Sequence, residues 1–225
     1  ISDPLTVYVH LLPTVSASAT PNPILLNGNT QLNAVANQNS NYGYTVASIP
    51  FGGRDLTSVS GIAGGTGDEP NTDMPLGFNF NFFGNNYTGV TLHGNGQILM
   101  GLGNTTANFV YSPPSSGIPT TAAPNNWCGY WVDQNWSATN QLQWGVGGAA
   151  PNRKLIVRVN GVNYYSSTPS NTYQYELHET TNYIDVYIVD NTTTSTLYRQ
   201  IGIENANGAE GISAPNRNYG QWTTS

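Results

Sequence analysis

The sequence predicts an all-β chain folded as an antiparallel, jelly-roll-like β-sandwich with long loops. Three observations carry this. Apolar and polar residues alternate with period two, the pattern of a half-buried strand. Clusters of Gly, Pro and Asn separate the alternating runs, as turns between short strands require. No window holds a 3.6-residue apolar stripe of useful length, so helices are expected to be short or absent.

The alternation is clearest where Phe78, Phe80 and Phe82 share one face and Asn79 and Asn81 the other. It recurs at Leu155, Val157 and Val159 against Lys154 and Arg158, and at Tyr173, Tyr175 and Leu177 against Gln174, Glu176 and His178. Ile184, Val186 and Ile188 repeat it after Thr181-Asn182, a spacing that suits a tight hairpin. Further strands are expected at residues 5–10, 31–36, 87–93, 97–101, 127–132, 141–146 and 199–204. Two long stretches read as loops, Gly61 to Pro75 and the Pro-rich Ser112 to Pro124. Residues 14–36 read as two strands around a Pro-Gly turn, and a boundary near residue 40 divides a segment 1–40 from a sandwich module 41–225.

A chain of 225 residues is long enough for one large domain with a core of its own. Only 8% of residues are charged, yet aromatics reach 11%, which supplies core area that a disordered chain lacks. The net charge of -6 and the absence of any basic run argue against nucleic acid as a partner. No apolar stretch reaches the ~20 residues of a membrane-spanning helix, and none is expected to insert. The single Cys128 excludes an internal disulfide framework. A single lysine and a surface rich in Asn, Thr and Gly lean towards an exposed extracellular protein.

Longer blocks carry a resemblance. Tyr44 to Phe51, LGFNFNFFGNNYTGVTLHGNGQILMG (76–101), APNNWCGYWVD (123–133), APNRKLIVRVNGV (150–162), ELHETTNYIDVYI (176–188) and IGIENANGAEGISAPNRN (201–218) resemble, in order, a module repeated in large secreted proteins of gliding and polysaccharide-degrading Bacteroidota. The resemblance spans about three quarters of the chain. Residues 4–34 look like the join between successive immunoglobulin-like repeats of the same proteins. The resemblance implies cell-surface display by the type IX secretion route, in adhesins or extracellular filaments, and implies no chemistry.

Candidate sites follow from residue types. Asp68, Glu69 and Asp73, in a Gly-rich loop, are the oxygen ligands that calcium would take, and no other cofactor is expected. Asp133 and Asp190 are weaker candidates of the same kind. Trp127, Trp131, Trp136 and Trp144 cluster with Tyr130; alternation sends Trp127 and Trp131 to the core, which leaves Trp136 with Tyr130 as the expected glycan-stacking aromatics. Lys154 is expected to pair with Glu176 or Glu179 on a neighbouring strand. His10, His93 and His178 are scattered, and Cys128 reads as a buried thiol, so no catalytic constellation is expected. Leu5, Val7 and Val9 form a strand that a neighbouring copy is expected to accept, giving an oligomer or polymer of identical chains. The sequence thus reads as a non-enzymatic structural or adhesive module of a bacterial surface protein, with a carbohydrate-binding module of a secreted enzyme as the alternative.

Overall fold

A computed structural model describes residues 5–9, 14–20, 31–37, 43–51, 59, 61–62, 65–108, 110–122, 126–165, 170–191 and 197–223. Its strands are β1 (Leu5–Val9), β2 (Thr14–Thr20), β3 (Gln31–Asn37), β4 (Tyr44–Ser48), β5 (Gly61–Ile62), β6 (Asn71–Phe82), β7 (Asn85–His93) and β8 (Gln97–Met100). They continue as β9 (Trp127–Trp131), β10 (Gln134–Asn135), β11 (Leu142–Gly147), β12 (Lys154–Tyr164), β13 (Ser170–His178), β14 (Ile184–Asp190), β15 (Arg199–Glu204) and β16 (Gly211–Gly220). A single 3₁₀ turn, Thr139–Gln141, is the only helical piece among the described residues. Lone turns suffice because the chain has no 3.6-residue apolar stripe to bury.

Two antiparallel sheets form the sandwich. One runs β4-β1-β14-β13-β12-β11-β5 with β10 against β12; the other runs β16-β15-β9-β8-β7-β6. The hairpin β2-β3 makes a third, two-stranded sheet, and its Pro-Gly turn lies outside the described residues. The strand Leu5–Val9, grouped by the sequence with the segment 1–40, is a member of the larger sheet, with Leu5 opposite Val186 and Ser48.

The alternating runs meet in one interior. Phe78, Phe80 and Phe82 from one sheet pack with Leu155, Val157, Val159, Tyr173, Tyr175, Leu177, Ile184 and Val186 from the other. The hairpin after β13 closes around Asn182, whose positive φ of 54° is the left-handed geometry Asn tolerates in tight turns. Several strands depart from the expected set: β4 and β10 are additions, and β5 lies within the expected loop 61–75. Two longer strands depart as well. β6 starts at Asn71, within the expected loop, and β16 was absent from the expected set. Each is the outermost strand of its sheet and carries a proline, Pro75 or Pro215, where a missing N–H costs no ladder bond.

Tyrosines in this interior need partners for their hydroxyls, and Tyr175 and Tyr130 find them across the gap between the sheets. Tyr175, on β13, donates to the Gly96 carbonyl at 2.7 Å and accepts from the Tyr130 amide at 3.0 Å. Tyr173 donates to Gln134 Oε1 at 3.1 Å, and Tyr130 to Asn171 Oδ1 at 2.9 Å. The approach depends on Gly129, at φ 112°, where a Cβ would stand 3.0 Å from the Tyr175 ring.

The Pro-rich loop does not hang free. It covers the outer face of β9, where Ile118 and Ala107 pack on Trp127, Trp131 and Leu99 in a second cluster. Asn218 holds the loop from below, accepting from the Ile118 amide at 2.8 Å and donating to its carbonyl at 3.1 Å. Glu204 anchors it further, accepting from the Thr120 amide at 2.5 Å and the Trp127 indole at 3.2 Å. Burial pushes the Glu204 acid up to about 7, and the two donated hydrogen bonds only partly oppose it.

Two outcomes test this packing. Tyr175→Phe leaves the Gly96 carbonyl and the Tyr130 amide without their shared partner, and urea unfolding should show a loss of about 1–3 kcal/mol at an unchanged m-value. Glu204 holds its proton more tightly folded than unfolded, so its contribution is greatest below its ordinary range and declines as pH rises through about 7. Thermal melts should therefore show wild type losing stability against Glu204→Gln, on the order of 1 kcal/mol, between pH 5 and pH 8.

Candidate functional site

Three connections meet at one end of the sandwich. The Gly67 and Trp136 backbones exchange hydrogen bonds at 2.8 Å each way, which pins the segment before β6 to the segment after β10. The Trp136 indole donates to the Gly94 carbonyl at 2.6 Å. Gly94 is required there, because a Cβ would stand 2.6 Å from Pro70. Asn95 closes the third side, its side chain accepting from the Gln134 amide at 2.9 Å and its carbonyl from the Val132 amide at 3.1 Å.

This lock brings Asp68, Glu69, His93 and Asp133 together. Burial pushes the Asp133 acid up to about 6, and the negative charges of Asp68 and Glu69 add to the effect. Asp68 is raised by burial and by Glu69, against a lowering from His93. His93 is fully buried and held neutral, its basicity lowered to about 4 by loss of water, although Gln97 and Asp68 act in the opposite direction. Their charges act on one another, but no three of these side chains come within 4.8 Å as a set of ion ligands.

The expected calcium trio is divided. Asp68 and Glu69 join Asp133, whereas Asp73 turns to the loop after β8, accepting from Thr91 Oγ1 at 2.6 Å and the Gly103 amide at 2.8 Å. The correction has a simple cause: Asp73 lies in β6, not in a loop, and the strand carries it away from residues 68 and 69. Asp190 ends β14.

The expected glycan aromatics are corrected too. Trp136 is 2% exposed and Tyr130 is fully buried, so neither offers a face to a ligand. Trp127 and Trp131 are buried as expected, but under the Pro-rich loop instead of between the sheets. Alternation failed to find Trp136 because a loop that folds back is not visible in period two. Cys128 is buried as expected, its thiol pushed up by loss of water.

Outward residues of β12, β13 and β14 form a second polar group. Lys154 Nζ meets Glu176 Oε2 at 2.6 Å, the expected cross-strand pair, and Arg153 takes Glu179 in a bidentate pair instead. His178 Nε2 lies 3.0 Å from Asp185 Oδ2 and 3.8 Å from Glu176 Oε2. Tyr187 donates to Asp185, and Gln174 to Glu176 at 2.8 Å. Among the described residues, Glu176, His178 and Asp185 alone bring three ligand-type side chains within 4.8 Å of one another. Lysine, glutamine and phenol already satisfy these carboxylates, so the arrangement works as an ion network that ties three strands. Its signal was in the sequence: Glu176 and His178 alternate onto one face, and the hairpin sets Asp185 opposite Glu176.

A protein-family model described as NIDO related matches residues 34–225. The chain belongs to the NIDO-related family. NIDO-related domains are β-rich and typically extracellular. No helix of the described residues is long and apolar enough to cross a membrane. None of the curated proteins and none of the solved structures matches the chain. The NIDO-related match leaves β1 outside its span, although β1 sits in the larger sheet.

The acid cluster yields a test. Asp133 binds its proton more tightly folded than unfolded, so ionising it costs stability as pH rises through about 6. Asp133→Asn should gain on wild type between pH 4.5 and pH 8 by roughly 1 kcal/mol, allowing for solvent screening, as read from denaturant melts at the two pH values.

Proposed function

We propose that this chain is a structural and adhesive module of an extracellular bacterial surface protein, without catalytic activity, and that copies assemble by strand addition through β1. The position of β1 carries the reading. It precedes the span that the family defines, yet it pairs with β14 through Leu5–Val186, Thr6–Asp185 and Val7–Ile184, and with β4 from Leu5–Ser48 to Val9–Tyr44. Without it the larger sheet holds a slot one strand wide, and β4 loses its ladder partner. A strand from a second copy satisfies the same backbone groups in the same register, which is the logic of strand addition and domain swapping.

Other features support the reading. A surface solubilised by neutral amides and hydroxyls suits display outside the cell, and the module resembles repeats of Bacteroidota proteins exported by the type IX route. The sole thiol is sealed in the core and His93 is buried and neutral, which favours packing roles for both.

Light scattering on the purified chain should show oligomers that dissociate when residues 1–12 are deleted, and the shortened chain should bind a labelled peptide of residues 1–12 and melt at a higher temperature with it. An oligomer that survives the deletion, together with a peptide that does not bind, would rule strand addition out.

A further inference from the structure

Five large apolar or aromatic side chains are exposed among the described residues: Phe51, Leu102, Tyr111, Tyr165 and Tyr198. Tyr198 differs from the others. It is 43% exposed, yet its ring lies flat on Tyr219, with centroids 4.2 Å apart and planes within 4° of parallel. Phe51 meets Tyr187 only edge-on, at 82°. An exposed ring held by a stacked neighbour keeps one orientation in the free protein, so little side-chain freedom is lost when a ligand settles on it.

The backbone beneath the pair is bent to make it. Arg199 is opposite Gly220 and Gln200 opposite Asn218, so Tyr219 is the extra residue of a β-bulge in β16. Tyr219 has a φ of 82°, a left-handed geometry that costs a tyrosine on the order of 1–3 kcal/mol. Bulge and strain together aim the Tyr219 ring under Tyr198. Polar groups flank the bulge: Gln200 donates to Asn218 at 2.7 Å, and the Arg217 guanidinium lies 4.4 Å over the half-buried Trp222 ring.

We propose that the Tyr198–Tyr219 stack is a binding platform for a neutral polysaccharide. A flat, rigid aromatic face matches the C–H face of a sugar ring. A polymer suits the platform, since Tyr198, 43% exposed and held flat by its neighbour, offers a face along which a sugar chain can lie. A neutral polymer fits because Gln200 and Asn218 at the bulge are uncharged amides, while the Arg217 guanidinium is taken up over the Trp222 ring and that of Arg199 by the Trp222 carbonyl. The platform takes over the role that sequence assigned to Trp136 and Tyr130, and it holds whether or not β1 is exchanged between copies.

Native gel electrophoresis tests it, with the chain run through gels cast with soluble mixed-linkage β-glucan, xylan or glucomannan. At least one of the three should retard the wild type. Tyr198→Ala should weaken that retardation roughly tenfold in apparent affinity, whereas Tyr198→Phe, which keeps the ring, and Tyr165→Ala, which removes an exposed tyrosine elsewhere, should leave it unchanged. Tyr198 is exposed, so these variants are expected to melt with the wild type. Retardation in none of the gels overturns the proposal, as does retardation that Tyr198→Ala leaves intact or that Tyr165→Ala abolishes equally.

Discussion

The hydroxyl of Tyr175 sets the spacing of this sandwich. A core built on tyrosine gains large apolar area but must satisfy a polar atom at the end of every ring, and unsatisfied buried hydroxyls are costly. The chain meets that demand across the interlayer gap, with Tyr175 on one sheet bonded to Gly96 and Tyr130 on the other. Gly129 must lack a side chain for the ring to fit, and Gly96 must turn its carbonyl inward. Once these atoms are fixed, β8, β9 and β13 have one mutual position, and the apolar residues around them have one way to interdigitate.

From that anchor the acid cluster follows. Gly96 ends the turn that contains Asn95 and follows His93, and Asn95 fixes the segment of Asp133 and Gln134. The segment in turn places Trp136, which holds Gly67 and so delivers Asp68 and Glu69. The carboxylates at this end are thus a consequence of how the interior is tied together there, and the weakened acidities of Asp133 and Asp68 record the burial this tie imposes.

Period two made the strands legible wherever a strand has one apolar and one polar face, as at Phe78 to Phe82 or Tyr173 to Leu177. Where both faces are covered it found the strand but not what covers each face. β9 reads as WCGYW because the interior takes Cys128 and Tyr130 while the Pro-rich loop covers Trp127 and Trp131, and nothing local reveals that loop's path. Edge strands with proline escaped for the opposite reason, since they look like turns to any local rule. Site residues fared according to range. The Lys154–Glu176 pair is one register step across a hairpin-linked sheet and was readable; the union of Asp68 with Asp133, and of Tyr198 with Tyr219, depends on loops and a bulge that no spacing in the sequence announces.

The location of β1 also decides how the module bears tension. The strand is held by three register pairs towards β14 and five towards β4, and it lies inside the sheet rather than at its rim. A pull along its axis loads both ladders at once in shear, so rupture requires many hydrogen bonds to fail together, and the resistance is governed by the unfolding rate rather than by equilibrium stability. A module joined to its neighbour through this strand would transmit force along the larger sheet and spare the aromatic interior, leaving surface loops and the stacked tyrosines undisturbed under load.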